Sequence, residues 1–244
     1  MRYLMIFSYD GSNFSGYQIQ KNKKTVQGEI EKALFKINGN KIVKIHASGR
    51  TDRGVHAVNQ KAHFDFKECN PTKLINSLNK ILSDDIYIKD IKKVSDDFHA
   101  RFNVLKKEYI YKINVGQYNP CMRNYVLQFN DNLDISKMQN AANYLIGEHN
   151  FKAFTKANLA NSKEDFIRTI YEIDVKENKD EIILKFVGSG FMRYMVRNIV
   201  GVLLDVGTGK IKETDVLDIL NSLNRQKASI TAPACGLYLN QVYY

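Results

Sequence analysis

The sequence predicts an α+β protein: two ferredoxin-like βαββαβ halves joined into one large, mainly antiparallel sheet with helices packed on one side. Three observations predict it. Over residues 1–104, period-two apolar runs and helix-period segments follow the order β-α-β-β-α-β. Over residues 105–244 a closely similar order, β-α-β-β-α-α-β, recurs. The join, near Phe102 to Lys106, carries no Gly/Ser/Pro-rich linker. The halves share no sequence identity, so the repeat rests on element order alone.

Each element has its own signal. Arg2 to Tyr9 is apolar and aromatic, a strand that Asp10-Gly11-Ser12 turns. A basic stretch, Lys21-Asn22-Lys23-Lys24, reads as a solvated turn or a phosphate contact. Thr25 caps a helix whose apolar face is Val26, Ile30, Ala33, Leu34 and Ile37. Lys41 to Ile45 reads as a strand. In the next strand Val58, Gln60, Ala62, Phe64 and Phe66 share one face. Asn70-Pro71 opens a helix that turns Leu74, Leu78, Ile81 and Leu82 inward. A strand through Ile86, Ile88 and Ile91 closes the first half.

In the second half Lys106 to Val115 is a strand, and Asp134 caps a helix expected to end at Gly147. Asn158 to Asp165 is a polar loop. Phe166 to Val175 and Glu181 to Val187 read as a hairpin pair. A helix is expected from Phe191 to Val206, then another around Thr214 to Leu223, then a last strand, Gly236 to Tyr243.

Composition narrows the function classes. The 244 residues are 44% hydrophobic and 25% charged, ordinary for a globular protein, but the net charge is +10. Such a surface suits nucleic acid or an acidic membrane. No apolar run approaches the roughly 20 residues that span a bilayer, and the first residues do not resemble a signal peptide. Three cysteines, far apart, form no CxxC pair and no zinc spacing, which fits a reducing cytoplasm. The five histidines show no ligand pattern, so no metal is expected. Four of the nine arginines, Arg50, Arg53, Arg193 and Arg197, fall in two short stretches. Arginine offers a fixed fork for carboxylate or phosphate that lysine lacks.

Chemistry concentrates in Ser48-Gly49-Arg50-Thr51-Asp52-Arg53-Gly54-Val55-His56-Ala57, a loop between two strands. One carboxylate, Asp52, stands between two arginines and two bracketing glycines. Nearby guanidinium groups lower a carboxylate pKa by about 1–3 units, so Asp52 is expected ionised, a nucleophile or base and not a general acid. Adjacent cations argue against a metal here, and glycoside hydrolysis would need a second carboxylate. The bland alternative is a hairpin loop pinned by ion pairs.

Gly49-Arg50-Thr51-Asp52 with Gly54-Val55-His56 resembles the signature loop of the TruA-type tRNA pseudouridine synthases, and the resemblance runs through nearly the whole chain. Asp10-Gly11-Ser12 to Gly16-Tyr17-Gln18, Asp97 to Phe102, Met195 to Gly201 and Gly236 to Leu239 are similar to further motifs of that family. Two positions depart from it: Arg53 replaces a usually small residue, and Tyr17 a usual tryptophan. The resemblance implies a pseudouridine synthase fold and Asp52 as the catalytic aspartate. It implies Tyr109 stacking on the target uracil, Arg197 as the charge partner of Asp52 and Leu237 lining the uracil pocket. Arg50 would fill the space left by the extruded nucleotide, and Arg101 would be an RNA or structural contact. It further implies tRNA as substrate at positions about 38–40 of the anticodon stem-loop, a homodimer, and no cofactor. On pattern alone, Tyr109 and Leu237 read as core and Arg193 with Arg197 as a polar helix face. Two rival classes remain at this point: a non-catalytic RNA-binding protein, since ferredoxin-like sheets also serve as RNA platforms, and a metal-dependent nucleic-acid hydrolase.

Overall fold

The computed structural model describes residues 1–156 and 165–244, so the polar loop expected at Asn158 to Asp165 lies outside the described residues except for its last member. The chain is α+β, with mainly antiparallel strand pairing. It divides into two compact units: Met1–Leu105 with Tyr238–Tyr244, and Lys106–Leu237.

In the first unit the elements run β1 (Arg2–Tyr9), α1 (Val26–Ile37), β2 (Ile45–Ala47), β3 (His56–Asp65), α2 (Pro71–Ile81) and β4 (Ile86–Val94). Strand β1 is central, antiparallel to both β3 and β4, and accordingly buries residues on both faces: Tyr3, Leu4, Met5, Phe7 and Tyr9. The other edge of β3 is shared. Near its start it pairs in parallel with the last strand, β10 (Leu237–Tyr243), His56 opposite Tyr238. Near its end it pairs antiparallel with β2, His46 opposite His63.

The caps sit where the sequence puts them. Thr25 Oγ1 accepts the Gly28 N–H at 3.3 Å, and Asn70 Oδ1 accepts the Lys73 N–H at 3.1 Å; each such cap is worth about 1 kcal/mol. Helix α1 buries Val26, Ile30, Ala33 and Leu34, and α2 buries Leu74 and Leu78. Two expectations need correction. Ile81, at the last position of α2, is exposed. Residues 41–44 are irregular, and β2 begins only at Ile45, because its register is set by Ala62 to Phe64 across the ladder.

In the second unit β5 (Lys106–Asn114) leads through β6 (Leu127–Gln128) to α3 (Ile135–Asn143), β7 (Gly147–Asn150), β8 (Ile167–Asn178), β9 (Glu181–Gly188), α4 (Met195–Gly207) and α5 (Asp215–Asn221). The strands lie in the order β5-β9-β8-β7, all antiparallel, with β6 pairing in parallel to β5. Asp134 caps α3 through the Lys137 N–H at 3.0 Å. The helix stops at Asn143, short of the expected Gly147. Gly147 instead opens β7 at φ +111°, a conformation that glycine takes readily.

Candidate active site

The loop carrying Asp52 leaves β2 at Ala47 and is fastened at once to β3. The Ser48 N–H donates to the Lys61 carbonyl at 2.8 Å, and its hydroxyl donates to Gln60 Oε1 at 2.7 Å. Gln60 Nε2 in turn donates to the Gly49 carbonyl at 3.1 Å. Ser48 and Gln60 are both fully buried, so this polar pair is satisfied internally. Thr51 is the second anchor. Its hydroxyl shares a 2.8 Å hydrogen bond with the Tyr9 hydroxyl, and its carbonyl accepts the Tyr17 N–H at 3.1 Å. Burial pushes the Tyr9 hydroxyl up to about 12, so it stays protonated. With Thr51 turned inward, its neighbours Arg50 and Asp52 are exposed and half-buried respectively. The Asp52 carbonyl then accepts the Val55 N–H at 3.2 Å, closing a turn over an exposed Arg53 and Gly54, the latter at φ +78°.

The segment after β1 packs on this loop from two sides. A Cβ on Gly11 would lie 2.0 Å from the Val55 carbonyl oxygen. A Cβ on Gly16, at φ +102°, would lie 3.2 Å from the Thr51 carbonyl oxygen, with the backbone of Asp52 and Arg53 at 3.5 Å and 3.3 Å. Buried His56 holds the far end: its Nδ1 accepts the Gly11 N–H at 3.1 Å, and its ring stacks on Tyr238 at 4.7 Å between centroids. Tyr17 is buried here, its hydroxyl without a hydrogen-bond partner among the described residues, and burial raises its pKa.

The second unit positions the other expected residues. Tyr109 on β5 stands opposite Phe186 on β9 and is 8% exposed, with the Phe191 ring edge-on at 5.2 Å. Tyr111, on the same face, is fully buried and donates its hydroxyl to the Pro233 carbonyl at 2.8 Å, a structural position. Leu237, 5% exposed, follows Gly236, whose absent Cβ would meet the Lys112 carbonyl oxygen at 2.6 Å.

The helix expected from Phe191 begins only at Met195. Tyr194 takes a left-handed conformation, φ +64°, and caps nothing with its side chain. Arg193 therefore precedes the helix and shares no helical face with Arg197. The two arginines instead converge on the Tyr194 ring, their guanidinium carbons 4.8 Å and 5.3 Å from its centroid. Arg197 is half-buried. Its Nε donates to the Ala232 carbonyl at 2.7 Å, and its own carbonyl accepts the Ala232 N–H at 3.1 Å.

Sequence reading missed the residue beside it. Asn198 is fully buried and donates to the Phe154 carbonyl, while its Oδ1 accepts from Arg225 at 2.9 Å and from Thr231 at 2.7 Å. Three residues on, a Cβ at Gly201 would lie 2.0 Å from the Ile230 carbonyl oxygen. The stretch from Arg225 to Pro233 is thus strapped to α4 and β5. The only local hint was a polar residue amid the apolar Met195 to Gly201. The structure thus places Arg50 and Asp52 together on one loop of the first unit, and Tyr109, Arg197 and Leu237 in the second. Among the described residues no group of three or more His, Cys, Asp or Glu side chains is placed to hold a metal ion, and no helix is long and apolar enough to cross a membrane.

Comparison with known proteins gives one consistent result. A family model described as tRNA pseudouridine synthase matches residues 5–103 and 141–244. The chain is 47% identical over 239 residues to a Bacillus cereus protein named tRNA pseudouridine synthase A 1, covering 97% of this chain and 96% of that one. It is 46% identical over 247 residues to tRNA pseudouridine synthase A of Listeria monocytogenes, covering 100% of this chain and 99% of that one. With an aspartate loop clasped by the segments that the sequence motifs marked, and with relatives matched end to end, the chain belongs to the tRNA pseudouridine synthase family.

Proposed function

We propose that this protein isomerises uridine to pseudouridine in the anticodon stem-loop of tRNA, at positions about 38–40, after extruding the base. The observation that carries this reading furthest is the setting of Asp52: a half-buried carboxylate on a loop anchored by Ser48 and Thr51 and flanked by two exposed arginines. A group held this way needs little reorganisation when the substrate arrives.

The reaction breaks the bond from uracil N1 to C1′, turns the ring, and bonds C5 to C1′. The hydrogen on C5 leaves and N1 gains one. Nothing is oxidised, reduced or hydrolysed, so the chemistry balances without a cofactor. Asp52 acts as the carboxylate, at C1′ or at the base ring. Arg197 is the charge partner that keeps it ionised, Tyr109 stacks on the uracil, Leu237 lines its pocket, and Arg50 occupies the space the base leaves. The chain works in the cytoplasm as a homodimer, and +10 per subunit suits a tRNA shared between two copies.

The test is tritium release from C5-labelled uridine in unmodified tRNA, without added metal, comparing the wild type with Asp52→Asn. Release by the wild type and none by the variant supports the assignment. Appreciable release by Asp52→Asn removes Asp52 as the key carboxylate. No release by either, from tRNA that both bind, favours a non-catalytic RNA-binding protein.

A further inference from the structure

Within the first unit, three histidines and a phenylalanine form a stack that reaches the surface. His46 on β2 lies over His63 on β3, with ring centroids 4.9 Å apart. His63 meets the edge of His99 at 4.5 Å, and His99 stacks on Phe102 at 4.3 Å. His63 is buried, whereas Phe102 is 75% exposed. An isolated exposed phenyl ring is ordinary, but this one is held in place. The Phe102 and Asn103 N–H groups both donate to the His99 carbonyl, at 3.2 Å and 3.0 Å, and the His99 N–H donates to Asn103 Oδ1 at 2.6 Å. One face of the ring rests on an imidazole, and most of the residue is open to solvent.

His63 and His99 are suited to this role because they are uncharged at neutral pH. His63 Nδ1 accepts the Ala100 N–H at 3.0 Å and His99 Nδ1 accepts the Arg101 N–H at 3.1 Å, so neither nitrogen carries a proton. Burial pushes both pKa values down, with help from neighbouring histidines and from Arg2.

The surroundings are cationic. The Arg101 guanidinium carbon is 5.8 Å from the Phe102 centroid. Lys61 lies over Tyr244, whose hydroxyl donates to the Ala100 carbonyl at 2.7 Å, and Lys92 is close enough to lower the Lys61 pKa. A pre-oriented aromatic face beside a guanidinium matches a nucleobase with its phosphate, and Lys61 and Lys92 add positive charge around Tyr244.

We propose that Phe102, backed by His99 and flanked by Arg101, is a stacking site for an unpaired nucleotide of the tRNA, in addition to the contacts of the target uridine. The proposal rests on tRNA being the substrate. It is tested on the full chain with an unmodified tRNA transcript, measuring Kd by fluorescence anisotropy and KM by tritium release for Phe102→Ala, Phe102→Leu and Phe102→Trp. Loss of a stacked base weakens binding by roughly 5- to 100-fold. Phe102→Ala and Phe102→Leu should both raise Kd and KM by about tenfold, and Phe102→Trp should restore them. Wild-type affinity in Phe102→Ala, or full affinity in Phe102→Leu, overturns the proposal. So does a change of oligomeric state in Phe102→Ala by sedimentation equilibrium, which would show a second copy covering Phe102. Absence of tritium release by the wild type would count against the isomerase reading, while the Kd series would still decide the stacking site.

Discussion

Gly16 and Asp52 meet backbone to backbone: a Cβ built on Gly16 would stand 3.5 Å from the Asp52 carbonyl carbon, 3.2 Å from the Thr51 carbonyl oxygen and 3.3 Å from the Arg53 nitrogen. Gly16 also has φ +102°, where an L side chain is strained. Gly16→Ala should therefore destabilise the protein by about 1–3 kcal/mol and lower its melting temperature by several degrees. With Asp52 as the reacting carboxylate, kcat should fall more than the affinity for tRNA. Thermal unfolding and tritium-release kinetics on the same preparation check both, and an unaltered melting temperature would contradict the contact.

Tyr17 gives the opposite expectation. Its buried hydroxyl has no protein partner among the described residues, so Tyr17→Phe removes a desolvated polar group without opening a cavity. Stability should stay level or rise by up to about 1 kcal/mol. Chemical denaturation decides, and a clear loss would mean that the hydroxyl is served by a partner after all.

Arg197→Met tests the proposed charge partner. Removing one preorganised cation from a reacting carboxylate typically lowers the rate by about 10²–10³-fold. Arg197→Lys should not recover it, because lysine cannot both reproduce the Nε donation to the Ala232 carbonyl and keep a planar fork. Full single-turnover rate with normal tRNA affinity in Arg197→Met would remove this role.

His63 makes stability depend on acidity. Its pKa falls from an ordinary 6.5 to about 4, first through burial and then through the charges of His99, Arg2 and His46. A depressed pKa means that the unfolded chain takes up the proton before the folded one. The contribution is therefore complete above about pH 6.5, declines as the pH falls below that value, and is spent near pH 4. After allowance for solvent screening it is of order 1–2 kcal/mol. Melting temperatures between pH 7 and 4 should fall less steeply in His63→Gln than in the wild type; parallel curves would rule out His63 as the group responsible.

What could be read from the sequence was local. Thr25, Asn70 and Asp134 announce their helices because a cap is a contact across three residues. The Asp52 loop stood out through glycine, arginine and carboxylate packed into ten positions. The misread features depend on distant partners. The start of α4 is the exception, for Tyr194 takes its left-handed conformation beside Arg193 and Arg197, its neighbours in sequence. The boundary of β2 follows β3, and Gly147 opens a strand because β8 is there to pair with it. Asn198 finds Arg225 across 27 residues, a distance over which no spacing rule operates.

The pairing of β10 with β3 bears on how the protein is made. His56 lies at the end of the Asp52 loop, and its ladder partner and stacking partner is Tyr238, which a ribosome adds long after the rest of the first unit. The nascent chain can form β1, β3 and β4 early, but the edge of β3 at His56 and Ala57 waits, unpaired, for Tyr238 and Leu239 to emerge. During that interval the exposed edge is open to strands of neighbouring polypeptides. The loop that carries the carboxylate can thus fold early on its contacts with Tyr9, Tyr17 and Gln60, while the ring of His56 at its far end waits for Tyr238.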